Sequence, residues 1–391
     1  MPKADHEISL VTREEDVLHL REEWDRLSTN SAHPNVFTTF DWFRAWYLRV
    51  AKARRSERKK PFVVVIRENG AVTGIAPLVH TTAFRKGLFV RQLSFAAREW
   101  DYNDLIAGDE NSGRTEAVLG HLIRNQQQWD VVDLRDLRDV GNSLVHIGNA
   151  LNDAGLEFRF LPEEERCPFM PIQGPWENYL SQLSGPSRHR LRKRQSKLLR
   201  TLGDEVRLRA VDKPHLEDGL LERMIALEKQ KRSGGLLSVP VLGRHADVFE
   251  SIWKTLGPKG WLCVTLMEWR NQLLAWQLLF LCGKKIWGYL TAYNHDFAEL
   301  SPGSSLIPIA IDYGAAHGFT EFDFLSGEEP YKMRWTEGFH RTFRLIVWNK
   351  AWSSRFRASV CLGLRPDAIS ANRGSFMSDL GIEGSTGENT E

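Results

Sequence analysis

Two stretches of this chain carry the same hydrophobic pattern: strand-length apolar runs joined by tight polar turns, then helical spacing, then strands again. In the first, Phe62–Arg67 and Ala71–His80 flank Asn69-Gly70. Asn-Gly between two apolar runs is a strong hairpin signal, because both turn residues adopt positive φ. Leu88–Phe95 adds a strand, Thr115–Gln126 a helix, Trp129–Arg135 a strand, Asn142–Ala154 a helix closed by Gly155, and Leu156–Leu161 a strand. In the second, Leu262–Trp269, Leu273–Cys282 and Ile286–Tyr293 read as three strands. A polar loop (Leu300–Ser305), an apolar helix (Leu306–His317) and strands at Glu321–Leu325 and Phe343–Trp348 follow. The hairpin turns, at Asn69 and Asn271, lie about 200 residues apart, and one later strand in each stretch holds an aspartate among apolar residues, Asp133 and Asp323. The simplest account is an α/β protein with two copies of one unit, each a mixed sheet flanked by helices.

Helical spacing also marks Glu15–Leu27, Thr39–Val50, Trp176–Leu183, Leu216–Lys231 and Val248–Leu256. The expected divisions are residues 1–165, 166–350, and 351–391 as a C-terminal helix (Ser353–Leu362) with a largely disordered, Gly/Ser/Asn-rich tail. The length of 391 residues suits two domains, and 42% hydrophobic against 26% charged residues suits real cores. No apolar run reaches the ~18 residues of a membrane span, and Met1–Glu7 lacks the apolar region of a signal peptide. Cys167, Cys263, Cys282 and Cys361 are scattered, suggesting neither a metal site nor a disulfide framework. These features lead us to expect a cytoplasmic protein without a metal.

The net charge of +2 conceals local clusters. Lys52–Lys60 reads as a basic loop. Arg188, Arg190, Arg192, Lys193, Arg194, Lys197 and Arg200 put seven positive charges on one helix, with no acid between Gly185 and Gly203. Such a helix suits phosphates, a polyanion, RNA or an acidic membrane surface.

Three further segments carry candidate chemistry. In Leu300–Ser305, Gly303 permits close approach of backbone to ligand, Ser304 or Ser305 can cap the next helix, and a helix start offers N–H groups to an anion. Ser301 belongs to the same loop. Asp323–Lys332 closes a strand at the rim of a sheet, where α/β ligands sit. There Lys332 can neutralise a phosphate or oxyanion, and Glu328, Glu329 or Asp323 can take a proton. Asp101, Tyr102, Asn103 and Asp104 form a polar segment beside the first sheet, and Asp101 competes as the base.

With these residues together, the chain resembles GNAT-superfamily acyltransferases of the type associated with bacterial cellulose and exopolysaccharide synthesis. The resemblance rests on Ser187–Lys193, Gly288-Tyr289, Ala292-Tyr293, Ser301-Pro302-Gly303, Leu306, Asp323, Gly327-Glu328, Tyr331-Lys332 and Trp335, and it covers about 184–348. It implies two tandem GNAT-like (acyl-CoA N-acyltransferase) domains, an arrangement similar to the FemABX peptidyltransferases, which carry a basic residue where Lys332 stands. It implies acyl transfer from acyl-CoA (acetyl-CoA) to an amine or hydroxyl on a small-molecule or saccharide acceptor, in envelope or exopolysaccharide assembly. The cofactor would lie on Ser301, Gly303, Ser304 and Ser305, with backbone N–H groups near Leu290–Tyr293, including Leu290 and Ala292, holding the oxyanion. Lys332, Glu328, Asp323 and Asp101 are the catalytic candidates. Tyr102, Asp104, Tyr293, Tyr331, Arg188 and Arg192 are the substrate-binding candidates, with Asp101 and Tyr102 facing Lys332 across a cleft between the halves. The family's phosphate loop reads Gln/Arg-x-x-Gly-x-Gly/Ala, whereas this chain has Leu300-x-x-Gly303-x-Ser305. Two alternatives therefore stand beside acyl-CoA: an aminoacyl-tRNA donor with RNA on the basic helix, or a non-catalytic scaffold in a polysaccharide synthase assembly, peripheral at the inner membrane.

Overall fold

The computed structural model describes residues 7–52, 57–96, 102–107, 112–138, 143–163, 165–230, 245–336, 338–363 and 380. The chain forms two compact units: residues 1–166 with 340–391, and residues 167–339. In chain order the first unit holds β1 (Glu7–Val11), α1 (Glu14–Leu18), α2 (Arg21–Thr29), α3 (Phe40–Lys52), β2 (Glu57–Glu68), β3 (Ala71–Arg85), β4 (Leu88–Phe95), β5 (Ile106–Ala107), α4 (Ser112–Arg124), β6 (Val131–Arg138), α5 (Ser143–Asp153) and β7 (Glu157–Pro162). The second holds β8 (Cys167–Pro171), α6 (Trp176–Gln182), α7 (Gly185–Leu202), β9 (Val206–Val211), α8 (Leu220–Gln230), α9 (Ala246–Leu256), β10 (Leu262–Trp269), β11 (Gln272–Cys282), β12 (Lys285–Tyr293), α10 (Ile307–Ala316), β13 (Glu321–Asp323) and β14 (Gly338–His340). The chain then returns to the first unit with β15 (Thr342–Trp348) and α11 (Trp352–Leu362).

The first sheet runs β1-β2-β3-β4-β6-β15-β7, with β5 on β3; the second runs β14-β8-β13-β12-β11-β10-β9. The β2–β3 hairpin turns at Asn69 (φ 52°) and Gly70 (φ 81°), as the Asn-Gly signal predicts, and β10–β11 turns at Arg270 (φ 50°) and Asn271 (φ 63°). Strand alternation sorts the first core into two layers. Phe62, Val64 and Leu78 meet Leu119, Leu122, Leu144 and Ile147 of α4 and α5. Val63, Val65 and Val79 meet Trp24, Phe40 and Phe43 of α2 and α3 on the opposite face. The helix expected over Glu15–Leu27 is broken into α1 and α2.

The order of strands departs from a simple duplication. The Phe343–Trp348 strand, expected to end the second half, lies in the first sheet between β6 and β7, with Ile346 opposite Asp133 and Arg159. Arg344 Nε donates to Asp133 Oδ1 at 2.7 Å, so the aspartate in the apolar run is the partner of the returning strand. Conversely, β8 follows β7 directly yet pairs with β13 in the second sheet. The second unit therefore ends at 339, not at the expected 350. The α11 helix, expected beyond the second half, is fastened to the first sheet. Buried Asp130 accepts from Arg91, Arg357 and Ser354, and these hold its carboxyl at about 2 against the cost of burial. The tail after 363, apart from Leu380, lies outside the described residues. Among the described residues no helix is long and apolar enough to cross a membrane. The four cysteines form no disulfide with one another, and burial pushes the Cys263 thiol up to about 12.

Candidate active site

The site grows from a defect in the second sheet. β12 pairs in parallel with β13 over only three residues, Lys285–Trp287 opposite Glu321–Asp323. From Gly288 onward β12 has no partner on that side among the described residues, while it stays paired with β11. A bulge falls at the point of parting. Leu278 faces Leu290 and Leu279 faces Gly288, which leaves Tyr289 as the extra residue. Gly288 is required there, because a Cβ would sit 2.8 Å from Phe322 Cζ of β13. The two strands thus touch, then part, and expose backbone donors of β12 in a notch. Leu290 and Ala292 lie on this free edge. Ala292 is buried and Leu290 half-buried.

The Leu300–Ser305 loop closes one end of the notch. Gly303 lies against β12, its missing Cβ 3.2 Å from Thr291 Cγ2 and 3.4 Å from Tyr293 Cδ1. Ser301 adopts a left-handed φ of 51°, and its carbonyl accepts from both the amide and the hydroxyl of Ser305, each at 3.2 Å. The expected capping of the next helix by Ser304 or Ser305 is not formed: α10 starts after Leu306 without a side-chain cap. The amides of Ser305 and Leu306 are engaged within the loop, so fewer backbone donors face a ligand than a bare helix start would offer.

The Asp323–Lys332 segment is a latched turn. Asp323 is fully buried and its Oδ1 accepts from the Leu325 amide at 2.7 Å. Leu325 (φ 61°) and Gly327 (φ 107°) take left-handed backbone. Lys332, 5% exposed, reaches back into the turn, donating to the carbonyls of Leu325 (3.4 Å) and Ser326 and pairing with Glu329 at 3.0 Å. The ammonium expected to meet a phosphate is therefore already coordinated by its own turn. Asp323, a candidate base, is committed to the same turn, whereas Glu328 and Glu329 are exposed. Burial, and then the Glu329 carboxylate, push the Tyr331 phenol up.

The basic helix and the serine loop, separate candidates in the sequence, come together. Leu191, Arg194, Gln195, Leu198 and Leu199 of α7 and Ser301, Ser304, Ser305, Pro308 and Ile309 line one open cleft, flanked by Trp176 and Trp335. The two indoles meet edge-on at 5.7 Å, and Trp176 stacks on Tyr179 at 5.1 Å. The Tyr179 hydroxyl donates to Trp335 O at 2.8 Å, and burial pushes it up to about 12. Arg188 and Arg192, expected to bind substrate, do not line this cleft. Arg188 donates to the carbonyls of Ser181 and Leu183 at the end of α6, and Arg192 pairs with exposed Glu177 at 3.3 Å. Arg194 is the helix arginine that faces the loop. Burial, then the charges of Arg334 and Arg190, press its pKa below the usual arginine value. Arg334 was missed in the sequence, where it appears as one more charge in a polar turn. Tyr293 packs beside Gly303 and stacks near His295 at 4.9 Å.

In the first unit the corresponding strands also part early, beside a small pocket lined by Phe37, Trp42, Phe95, Ala96 and Asn103. β4 and β6 pair only at Gln92–Val131 and Leu93–Val132. Beyond them Asn103 bridges to Leu137 and its amide donates to Asp136 O at 2.8 Å, so the chain fills its own gap. Asp101 lies outside the described residues. Tyr102, expected to bind substrate, is instead core: 1% exposed, with the Arg138 guanidinium 5.9 Å from its ring centroid. Asp104 pairs with Arg138 at 3.5 Å, and burial raises its carboxyl pKa against that arginine's pull.

Comparison with known proteins agrees with this geometry. Residues 186–333 match the family model of an acetyltransferase (GNAT) domain. No curated protein matches the sequence. Among solved structures the fold is similar to a conserved protein of unknown function from Bacteroides thetaiotaomicron, with TM-score 0.56 and 10% identity over 87% of this chain and 100% of that one. It is similar to FemX, with TM-score 0.56 and 13% identity over 86% and 96%. It is also similar to the C-terminal DUF2156 domain of a candidate lysylphosphatidylglycerol synthetase from Agrobacterium fabrum, with TM-score 0.54 and 10% identity over 91% and 99%. At such identities these likenesses speak to fold alone. The chain thus has a tandem GNAT-like α/β fold, and its second unit carries a GNAT-type acetyltransferase domain that makes it an acyltransferase.

Proposed function

We propose that the second unit transfers an acyl group from acyl-CoA, the co-substrate of GNAT domains, to an amine or hydroxyl of a small-molecule or saccharide acceptor. The observation that carries this reading is the notch where β12 leaves β13 at a bulge, with the Ser301–Ser305 loop at its end. A thioester carbonyl in the notch would meet backbone N–H groups of the Leu290–Tyr293 edge, which stabilise charge on oxygen as the acceptor attacks. The new bond forms to the acyl carbon, the carbon–sulfur bond breaks, and the proton leaving the acceptor ends on the thiolate through a carboxylate or water. Glu328 and Glu329, exposed at the rim, suit that relay better than buried Asp323. The resemblance in Ser187–Lys193 and Gly327–Lys332 supports a role in cytoplasmic envelope or exopolysaccharide assembly.

One observation favours a second donor: the seven-charge helix beside the cleft suits the phosphates of an aminoacyl-tRNA. Thermal melting against acetyl-CoA, longer acyl-CoAs, free CoA and tRNA separates the two. A ligand at 100 times its dissociation constant adds about 2.7 kcal/mol to the folded state. We expect a shift with CoA compounds that is lost in Gly303→Asp, whose side chain would press on Thr291. A shift with tRNA and none with any CoA would overturn the acyl-CoA reading.

A further inference from the structure

We propose that Arg194 is the phosphate-recognising group of the second unit, holding an organic diphosphate against Ser301 and Ser304 at the mouth of the cleft. This rests on the reading of that cleft as the donor site.

Four observations converge on Arg194. First, α7 is docked on the loop by Leu198 and Leu202, which are buried together with Leu300 and Leu306. Arg194 lies one turn before Leu198 on the same helix face, so docking aims it at the serines. Second, every other arginine of α7 is occupied. Arg188 holds the Ser181 and Leu183 carbonyls, Arg190 the Ser187 hydroxyl, Arg192 Glu177, and Arg200 the Ser196 carbonyl. Arg194 has no hydrogen bond or ion pair among the described residues. Third, none of the residues lining the cleft is a carboxylate, so Arg194 is a cation there without an acidic partner. Such a guanidinium suits a ligand with negative charge and several acceptor oxygens, which a diphosphate supplies and a single carboxylate supplies less well. Fourth, apart from Gln195 and Ser305 the rest of the wall is apolar or aromatic, Leu199, Ile309, Trp176 and Trp335 among it. That surface suits the organic body of the ligand rather than a bare inorganic ion.

The test is thermal melting and titration of the full chain with ADP, CoA and pantetheine, in wild type, Arg194→Gln, Arg334→Gln and Arg200→Gln. Wild type should be stabilised by ADP and CoA far more than by pantetheine, which lacks the diphosphate. Arg194→Gln should weaken both by about tenfold or more, the scale of one charge-assisted hydrogen bond. Arg334→Gln should weaken both by less, and Arg200→Gln, of equal charge change, should leave both unaltered. CoA bound equally well by wild type and Arg194→Gln would overturn the assignment while leaving the acyl-CoA reading in place. ADP binding that depends on Arg194, without CoA binding, would keep the arginine and remove the donor reading. No stabilisation by ADP or CoA would remove both.

Discussion

Replacing Lys332 by Met tests whether this lysine serves the reaction or the turn. The substitution keeps length and apolar bulk while deleting the ammonium. In the structure that ammonium donates to the carbonyls of Leu325 and Ser326 and meets Glu329 at 3.0 Å. The Glu329 side chain is 53% exposed, so water replaces that pairing at little cost. The two carbonyls lie in a tight turn, and bonds from a charged donor contribute ~1.5–3 kcal/mol each. Leu325 is held at φ 61°, a left-handed conformation that costs a residue with a Cβ about 1–2 kcal/mol. Without Lys332 the turn loses two of the bonds that, with the Asp323–Leu325 bond, oppose that cost. We expect a loss of about 2–4 kcal/mol, lowering the melting temperature of a unit this size by roughly 5–12 °C. Scanning calorimetry, with hydrogen exchange at Leu325–Glu329, reads both the global and the local effect. Exchange in that segment should rise more than elsewhere. A melting temperature within about 2 °C of wild type, with turnover lost, would refute the latch and put the ammonium in the reaction.

Other expectations follow from single contacts. Asp130→Asn should destabilise the first unit by about 2–4 kcal/mol, since it strips Arg91, Arg357 and Ser354 of a buried partner; urea unfolding measures it. Its hydrogen-bond partners hold the Asp130 carboxyl at about 2 in the fold against an ordinary aspartate value of 3.8, so its stabilisation is complete above about pH 4 and disappears as pH falls through 2. The span is worth about 2 kcal/mol, and the urea midpoint of wild type should drop more than that of Asp130→Asn between pH 5 and pH 2.5. Gly288→Ala should cost about 1–3 kcal/mol by pressing on Phe322, which sits 2.8 Å from the added carbon. It should also lower acyl transfer more than Gly314→Ala does, although that change meets Ile172 at 2.7 Å, because only Gly288 lies at the bulge.

Local pattern carried most of the elements. Asn69-Gly70, the apolar run Phe62–Ile66, and the runs at 206–211 and 262–269 were sufficient, because hairpins and strand-length apolar runs are decided by near neighbours. Pairing between distant strands was not readable. Nothing in Phe343–Trp348 says that it belongs between β6 and β7, since an apolar strand fits any buried slot of a sheet. β8 was missed because Pro168 and Pro171 argue against a strand, although they are tolerated here. For the site, the loop and the basic helix each stood out, but their meeting depends on Leu198 packing against Leu300. The roles of Asp323 and Lys332 inverted for a similar reason. A charge next to a glycine-rich turn looks free in sequence, and only the fold shows that it is spent on the turn's own backbone.

The exchange of β8 and β15 sets a timetable for the nascent chain. β7 ends at Pro162, but the strand that joins it to β6 begins at Thr342. At synthesis rates of about 5–20 residues per second, the first sheet waits roughly 10–35 s for its missing strand. During that time β6 and β7 present unpaired edges, which are templates for pairing with other chains. Translation that stops before residue 342 leaves this gap permanently open, so a fragment of residues 1–166 made alone is expected in the insoluble fraction. Supplying residues 340–363 as a separate segment should return it to solution. In this protein the ribosome has to deliver nearly the whole sequence before the first half can finish folding.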